Sequence, residues 1–437
     1  MAESQTAIQK AKLQLQRGAE RMRSGVPNRR AFLAYLAVLG PGIIAANAGN
    51  DAGGIATYAS VGADYGYKLL WTFVPILLSL CVVQEMCARM GVVTGKGLSD
   101  LIREQFGVRP TALVMLALLI ANGGVTISEF IGIGLSLEMF GIPRFVSVPI
   151  AAGAIWWLVV KGSYARVERI FLAMSLVFFG YIISAFLARP DWTEVGKGLV
   201  YPTIEFESGF LFTLVAIIGT TISPYMQVFV QSAVAEKETA IEDYGITRVD
   251  VFVGTFFAMA IAFFIVVSTA ATLHQQGIRI ETAADAARAL EPLAGKYASV
   301  LFAIGLFGAS MLAAGVLPLA TAYSISETLG VEKGVSRDFT EAPTFLGIFT
   351  GLIVIGAVVA MLPGFSPIQI LLVTQVINGL LLPIILISIL LLVNKTEIMG
   401  EHTNSLWYNI FAWATTVVVS ALSLLLLGST VYNLIVR

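Results

Sequence analysis

Hydrophobic residues form long runs along nearly the whole chain, and short polar segments separate them. A helix needs roughly 20 apolar residues to cross about 30 Å of hydrocarbon, and the runs reach that length. They are continuous, as in 150–160, whereas the strands of a membrane barrel alternate between apolar and polar positions. The pattern therefore predicts eleven membrane-spanning helices, which we place at 34–63, 67–94, 110–140, 145–161, 168–187, 209–234, 247–273, 298–327, 344–362, 367–393 and 407–434.

The composition supports an all-α polytopic membrane protein. Of the 437 residues, 57% are hydrophobic and only 13% are charged, and the mean hydropathy is +0.84. These values lie far outside the range of soluble domains. Because the apolar runs leave no room for a separate soluble domain, we expect a basic N-terminal segment at 1–33 and a single transmembrane domain at 34–437.

Charge asymmetry predicts the orientation of the chain in the membrane. The first 33 residues contain seven Lys or Arg and only two Glu, and such basic segments stay on the cytoplasmic side. With an odd number of spans, the C-terminus then lies outside. The basic segment has no adjoining apolar core with a small-residue cleavage site, so we do not interpret it as a signal peptide.

The same features set expectations for location and partners. The lack of a recognisable targeting signal and the positive-inside bias suit a bacterial plasma membrane, with the lipid bilayer as the surrounding partner. No basic groove with interleaved aromatic residues is evident, so we do not expect binding to nucleic acid. The sequence leaves the oligomeric state open.

Two of the predicted spans contain segments that are unfavourable in a membrane helix. The first span carries the Gly- and Asn-rich run 47–54 around Asp51, and the sixth carries 219–225 with Pro224 near its middle. An interior Gly costs about 1 kcal/mol relative to Ala, and a carboxylate near the bilayer centre costs at least about 2.5 kcal/mol. A simple kink at Pro224, or close helix packing at the glycines, remains the alternative interpretation.

The two unusual spans lie five apart, which suggests an internal repeat. Five helices invert the topology of a second unit, so we predict inverted repeats at about 34–187 and 209–393, with an extra helix at 407–434. Broken first helices in two such units mark the midplane substrate site of many transporters. Backbone carbonyls freed at the breaks suit a cation.

Several segments are similar to those of one transporter family: 40–53 around Asp51, 65–71, 91–96, 128–130 and 140–143, with the helix-6 break aligned on Pro224. Over essentially its whole length the chain resembles the NRAMP family of divalent-metal transporters. This resemblance implies a leucine-transporter-type fold with eleven helices, in which helices 1 and 6 are broken. It also implies a transporter rather than an enzyme, and we find no H-E-x-x-H, nucleophile-elbow or P-loop motif.

The resemblance implies that Asp51 is the metal-binding aspartate, but several neighbouring positions depart from the family pattern. Ala52 replaces the proline of the family motif, and Gly54 replaces its metal-binding asparagine. In helix 6, the Met-Pro-His signature reads Ser223-Pro224-Tyr225, so the metal-binding methionine is absent.

Further departures affect the positions that the family uses for protons. The family has a second histidine in helix 6; Gln231 lies one residue away from the aligned position, and the histidine is absent here. In helix 3 the acidic pair implicated in proton movement is reduced to Glu129, with Thr126 at the other position.

These departures predict a change of substrate. A thioether ligand helps a site to hold transition metals against abundant hard cations, and its loss removes that filter. Magnesium prefers oxygen ligands and keeps several of its waters. We therefore expect a wide, oxygen-only site, most like that of the magnesium-transporting branch of the family, in which manganese is also accepted.

The predicted ligand set centres on the Asp51 carboxylate and includes the carbonyls of Ala48 and Thr220. We expect Ser223 and Tyr225 to hold ion-bound waters and Gly54 to provide space. Candidates for a second shell or the ion pathway are Gln375, Asn378, Glu129, Thr126 and Gln231. Of these, we favour Gln375 and Asn378 as partners in interhelical hydrogen bonds.

Met226, one turn beyond Ser223, either fills the core or returns a sulfur to the site. No resident cofactor is expected, because the metal ion is the substrate.

Proton coupling is not expected from this sequence. The two histidines, His274 and His402, both fall in predicted loops, although His is the usual group that titrates near neutral pH. Glu129 and Asp51 remain as titratable groups in the spans, and we favour a structural or ion-attracting role for Glu129. The main alternative is a proton-coupled manganese or iron transporter with a divergent site.

Overall fold

The computed structural model describes residues 41–162, 170, 173, 179–288, 295, 298–335, 337–364 and 366–436, and the fold is helical. In chain order, the helices are α1 (Pro41–Ala48), α2 (Ala52–Tyr65), α3 (Phe73–Thr94), α4 (Leu98–Phe106), α5 (Val108–Glu138), α6 (Arg144–Lys161), α7 (Phe179–Leu187), α8 (Trp192–Val200), α9 (Ser208–Thr221), α10 (Pro224–Glu236), α11 (Tyr244–Thr272), α12 (Ala283–Ala287), α13 (Ala298–Leu329), α14 (Pro343–Met361), α15 (Pro367–Val393), α16 (Thr396–Met399) and α17 (Leu406–Val436).

Nine helical segments in the described part of the chain are long and apolar enough to cross a membrane. They are Leu70–Thr94, Val108–Glu138, Arg144–Lys161, Ser208–Glu236, Ile241–Gln276, Phe302–Leu329, Pro343–Met361, Pro367–Val393 and Leu406–Ser429. Their bounds lie close to those of nine predicted spans. The hydrophobic pattern therefore located most of the membrane helices correctly.

The two other predicted spans are described only in part. Of 34–63, the structure describes the residues from 41 onward, which form α1 and α2. Of 168–187, the helix Phe179–Leu187 is described, and most of the preceding residues lie outside the described part. The count of eleven spans and the bounds of the inverted repeats remain predictions.

Short helices occupy two of the segments between the predicted spans. Trp192–Val200 begins after Asp191, whose carboxylate accepts hydrogen bonds from Thr193 N at 2.8 Å and Glu194 N at 3.3 Å. Ala283–Ala287 begins with a capping box in which Thr282 and Asp285 bond to each other's backbone. Local caps start these helices, and the hydrophobic pattern does not reveal them because they are too short to appear as apolar runs.

The broken first span lies at the centre of the helical packing. α11 covers both α1 and α2, while α5 and α13 pack together, and α9 runs against α15. Where α9 packs against α15, the backbones of these two helices approach closely, since a Cβ on Gly219 would lie 2.1 Å from Gln375 O and 2.4 Å from Gly379 N. Only glycine permits this contact, which fixes α9 against α15.

We expect Gly219→Ala to destabilise the protein by about 1–3 kcal/mol, because the added methyl group overlaps the backbone of α15. The midpoint of thermal unfolding in detergent measures this effect. Gly153→Ala in α6 is the matched control, since a Cβ there meets nothing within 4 Å. Equal unfolding midpoints for the two variants would contradict the close crossing.

Candidate metal site

The first break, at 49–51, separates α1 from α2 and is organised by Asp51. This residue is the N-cap of α2, with φ −69° and ψ −179°, and its Oδ1 accepts a hydrogen bond of 2.5 Å from Gly54 N. The side chain is fully buried. The free amides and the positive end of the helix dipole stabilise its negative charge.

The second break, at 222–223, separates α9 from α10. Ser223 has an extended backbone at the start of α10, with φ −64° and ψ 139°, and Pro224 is the first residue of the helix. Proline is favoured at that position because its missing N–H would have no helical partner. Pro224 therefore begins a separate helix, and a simple kink within one continuous helix is the wrong interpretation.

Side chains from each break reach the other. Tyr225 Oη donates a hydrogen bond of 2.9 Å to Ala48 O, and the hydroxyls of Tyr58 and Thr221 lie 2.7 Å apart. A Cβ on Gly54 would lie 3.0 Å from Thr220 Oγ1. The structure thus brings together the six residues predicted to form the core of the site, namely Asp51, Gly54, Ala48, Thr220, Ser223 and Tyr225.

Protein donors occupy the predicted ligand oxygens in this conformation. Ala48 O accepts from Tyr225, and Thr220 O accepts from Ser223 Oγ at 3.0 Å. Ser223 Oγ also lies 2.6 Å from Gly219 O, so its hydroxyl bonds to its own chain. Each carbonyl oxygen keeps a second lone pair for an ion, but the close packing of the two breaks leaves little space, so the conformation is that of a closed site.

The expected enlargement of the site by small residues is not present in this conformation. A Cβ on Gly54 would lie only 2.5 Å from Gly49 O, so backbone fills the space that a larger side chain would need. A cavity beside the breaks, lined in part by Gly49, Asn50 and Tyr58, has a volume of about 10 Å³, which is room for about one water. Small residues here have allowed the two breaks to pack closely.

Gln375 connects α15 to the site. Its Nε2 lies 3.3 Å from Asp51 Oδ1 and 3.4 Å from Oδ2, and its Oε1 accepts a hydrogen bond of 3.2 Å from Asn378 Nδ2. Gln375 thus forms an interhelical hydrogen bond to Asp51, whereas Asn378 bonds to Gln375 within α15. Asn378 Oδ1 is buried and has no hydrogen-bond partner among the described residues.

Glu129 lies beside the first break, whereas the other two predicted pathway residues do not contact it. Glu129 Oε2 accepts a hydrogen bond of 3.0 Å from Ala52 N, so two carboxylates approach the N-terminus of α2. Thr126 bonds to Asn122 O within α5. Gln231 lies two turns beyond Pro224 in α10, where its Nε2 donates to Lys96 O at 3.1 Å.

Sequence reasoning missed Gln227 and left Met226 undecided. Gln227 is fully buried one turn after Ser223, and its Oε1 has no hydrogen-bond partner in the described part of the chain. The i, i+4, i+8 spacing of Ser223, Gln227 and Gln231 was the available signal. The methyl group of Met226 lies 2.0 Å from where a Cβ on Gly49 would stand, so this side chain fills the first break.

The site combines oxygen groups around Asp51 with the carboxylate of Glu129 beside the first break and the thioether side chain of Met226 within it. Among the described residues, no three His, Cys, Asp or Glu side chains converge as a metal cluster. The Gln375 amide contacts Asp51, and the carbonyl of Ala48 and the hydroxyls of Ser223 and Tyr225 lie at the two breaks. Such groups suit hard cations that keep part of their hydration shell.

Comparisons with known proteins agree with this architecture. The family model described as natural resistance-associated macrophage protein-like matches residues 42–429. The chain belongs to the NRAMP family. The divalent metal cation transporter MntH of Deinococcus radiodurans is 29% identical over 419 residues, which cover 91% of each chain.

Solved structures of transporters share the fold. A manganese transporter of Eremococcus coleocola has a TM-score of 0.73 at 21% identity, over 92% of this chain and 89% of its own. Mhp1, a nucleobase-cation-symport-1 family transporter, has a TM-score of 0.53 at 12% identity, over 90% and 93%. Membership of NRAMP confirms that the chain is an integral membrane transporter and not an enzyme.

The cap at Asp51 generates a stability prediction. We expect Asp51→Asn to unfold at or above the wild-type temperature, because the amide oxygen still accepts from Gly54 N and no buried charge remains. Asp51→Ala loses the cap and should be less stable than Asp51→Asn by about 1 kcal/mol. Thermal unfolding in detergent compares the variants, and identical midpoints for Asn and Ala would show that the cap contributes nothing.

Proposed function

We propose that this NRAMP chain imports divalent metal cations, with magnesium as the main substrate and manganese also accepted. The relatives named above as divalent metal cation and manganese transporters support the broader activity. The observation that carries the magnesium preference is the replacement of a thioether by Ser223, which leaves hydroxyl and carbonyl oxygens at the two breaks beside Asp51. Oxygen ligands favour magnesium and manganese over softer metals.

The closed geometry suggests how the ion binds. When the two breaks separate, the carbonyl of Ala48 loses the Tyr225 hydroxyl that now bonds to it. Asp51 and the carbonyl of Thr220 keep their local donors, and their remaining lone pairs face the opened space. The hydroxyl of Tyr225 is then free to hold a water on the ion, and Ser223 Oγ, which donates within its own span, can accept a hydrogen bond from another such water. A cavity of about 10 Å³ does not admit a hydrated ion, so binding and the opening of the breaks occur together.

Membrane potential supplies the driving force in this proposal. Moving one charge down 100 mV is worth about 2.3 kcal/mol, so a divalent ion gains about 4.6 kcal/mol. His274 and His402 lie in short helical turns outside the two breaks, and His274 Nδ1 is 2.8 Å from Ala63 O. Neither histidine is placed to link proton release to ion binding, which favours uncoupled transport.

Met226 is the observation that favours a second candidate, a proton-coupled manganese or iron transporter. Its methyl group lies against Gly49, and Gln84 Nε2 is 3.9 Å from its sulfur. A rotation of this side chain during opening would bring a soft ligand towards the ion. Such a ligand would favour manganese or iron over magnesium.

Uptake into proteoliposomes under an inside-negative potential tests the proposal. We expect saturable magnesium uptake that manganese inhibits and that Asp51→Asn abolishes, with no acidification reported by an internal pH dye. Wild-type liposomes without a potential are the control for voltage dependence. Manganese uptake that excess magnesium does not inhibit, accompanied by proton entry, would favour the second candidate.

Restoring the thioether provides a sharper test of selectivity. We expect Ser223→Met to shift the ratio of manganese to magnesium uptake by about tenfold or more towards manganese, because a soft ligand then faces the ion. Met226→Leu is the matched variant, which removes the sulfur but keeps an apolar side chain of similar volume. A large loss of manganese preference in Met226→Leu, with no gain in Ser223→Met, would identify Met226 as the ligand instead.

A further inference from the structure

A charged cluster lies below the breaks, at the end of the helices that the charge bias predicts to face the cytoplasm and that we call the inner end. Glu327, near the C-terminus of α13, has a side chain with 0% exposure. It accepts hydrogen bonds from Ser99 N at 3.1 Å and from Ser232 Oγ at 2.6 Å. One carboxylate therefore joins α13 to the first turn of α4 and to the inner half of the broken sixth span.

Lys333 lies between two carboxylates in this cluster. Its ammonium is 3.1 Å from Glu327 Oε1 and 2.5 Å from Asp100 Oδ2, the latter in the first turn of α4. Burial opposes the charge on Lys333, but the two carboxylates outweigh this effect and raise its pKa. The lysine stays charged, and it holds the segment after α13 against α4. We call Asp100, Glu327 and Lys333 the inner cluster.

The segment after α13 is also fastened to α10. Glu236, at the end of α10, accepts a hydrogen bond of 2.9 Å from Val335 N and another from the hydroxyl of Tyr323. Gln231 Nε2 donates to Lys96 O, just before α4. The inner half of the sixth span thus cannot move away from α4 while these contacts persist.

A polar stripe on α10 leads from the breaks towards the inner cluster. Ser223, Gln227 and Gln231 follow one another at one-turn spacing, and Gln231 precedes Ser232, which bonds to Glu327. The Oε1 atoms of both glutamines are buried and have no hydrogen-bond partner among the described residues. The buried hydroxyl of Ser99, whose N–H binds Glu327, likewise has no such partner. These oxygens are acceptors available to a cation or its waters.

We propose that the inner cluster is the cytoplasmic gate of the transporter, in which the ammonium of Lys333 occupies the place that a departing divalent cation takes when α10 moves. Glu327 and Asp100 then form a transient exit site of oxygen ligands. This proposal rests on the transport function proposed above, but it does not depend on which metal is carried.

The gate depends on competition between the Lys333 ammonium and the cation for the same two carboxylates. In the closed state a tethered positive charge satisfies both carboxylates, so a cation on the stripe has no exit. Movement of α10 removes Ser232 from Glu327 and loosens the segment that carries Lys333. A divalent cation then competes with the ammonium for the same oxygens, and its release to the cytoplasm allows the lysine to return.

Thiol accessibility tests the gate without any transport. Cys81 and Cys87 are the two cysteines of the chain, so Cys81→Ala and Cys87→Ala give a background without cysteines. Gln227→Cys then places a reporter at a position that is 0% exposed in the closed structure. A membrane-impermeant methanethiosulfonate applied from the cytoplasmic side measures how often the inner side opens.

We expect Lys333→Gln to raise the modification rate of this reporter about tenfold, which lies in the range that one coupling interaction supplies. Glu327→Gln should act in the same direction and provides a second variant if the first is poorly folded. Lys395→Gln is the matched control, because Lys395 Nζ also holds α4, through Gln105 Oε1 at 2.8 Å, but does not contact the inner cluster. Equal rates in Lys333→Gln and Lys395→Gln would overturn the gate.

Magnesium tests the exit site in the same preparation. We expect added magnesium to slow modification in Lys333→Gln back towards the parent rate, because the ion takes the position of the ammonium. Adding Asp100→Asn to Lys333→Gln should remove this protection. Protection that persists in the double variant would overturn the exit site, and a lack of magnesium uptake with an intact gate response would overturn only the magnesium proposal.

Discussion

The burial of one carboxylate in the middle of a membrane protein is the constraint on which the rest of this structure depends. Asp51 avoids the cost of that burial by capping α2, and a cap requires the helix to begin there. The first span is therefore divided, and its freed carbonyl at Ala48 is bonded by Tyr225 from the second break. Side chains at one break form hydrogen bonds with polar groups at the other. This mutual bonding explains why the two breaks occur at the same depth in the membrane.

The hydrophobic pattern was sufficient to predict most of the fold, because membrane helices are specified by local composition. The breaks at Asp51 and Pro224 were also visible, since glycine, proline and a carboxylate are unfavourable within a membrane span. The short helices beginning after Asp191 and Thr282 were missed, because caps of one or two residues specify them. The local sequence specifies these short helices, but each is much shorter than a membrane span and does not stand out in the hydrophobic pattern.

The candidate site was predictable in its residues and not in its volume. Residue identity indicated oxygen ligands at Ser223 and space at Gly54, but the approach of Gly49 O to Gly54 depends on how two distant helices pack. The inner cluster was hidden for a similar reason. Asp100, Glu327 and Lys333 come from α4, α13 and the segment that follows it, and no pattern along the chain brings them together.

The backbone contact between Gly219 and Gly379 divides the sixth span into two mechanically different halves. α9 is held against α15 by main-chain atoms that cannot change rotamer, whereas α10 is held at its inner end by side chains that can exchange partners. A binding protein selected against the ends of α9 and α15 that lie outside the membrane should therefore recognise different conformations equally and serve as an inert fiducial for imaging. One selected against the face of α4 should report on the conformation, since its epitope changes whenever the side-chain contacts to α10 are exchanged.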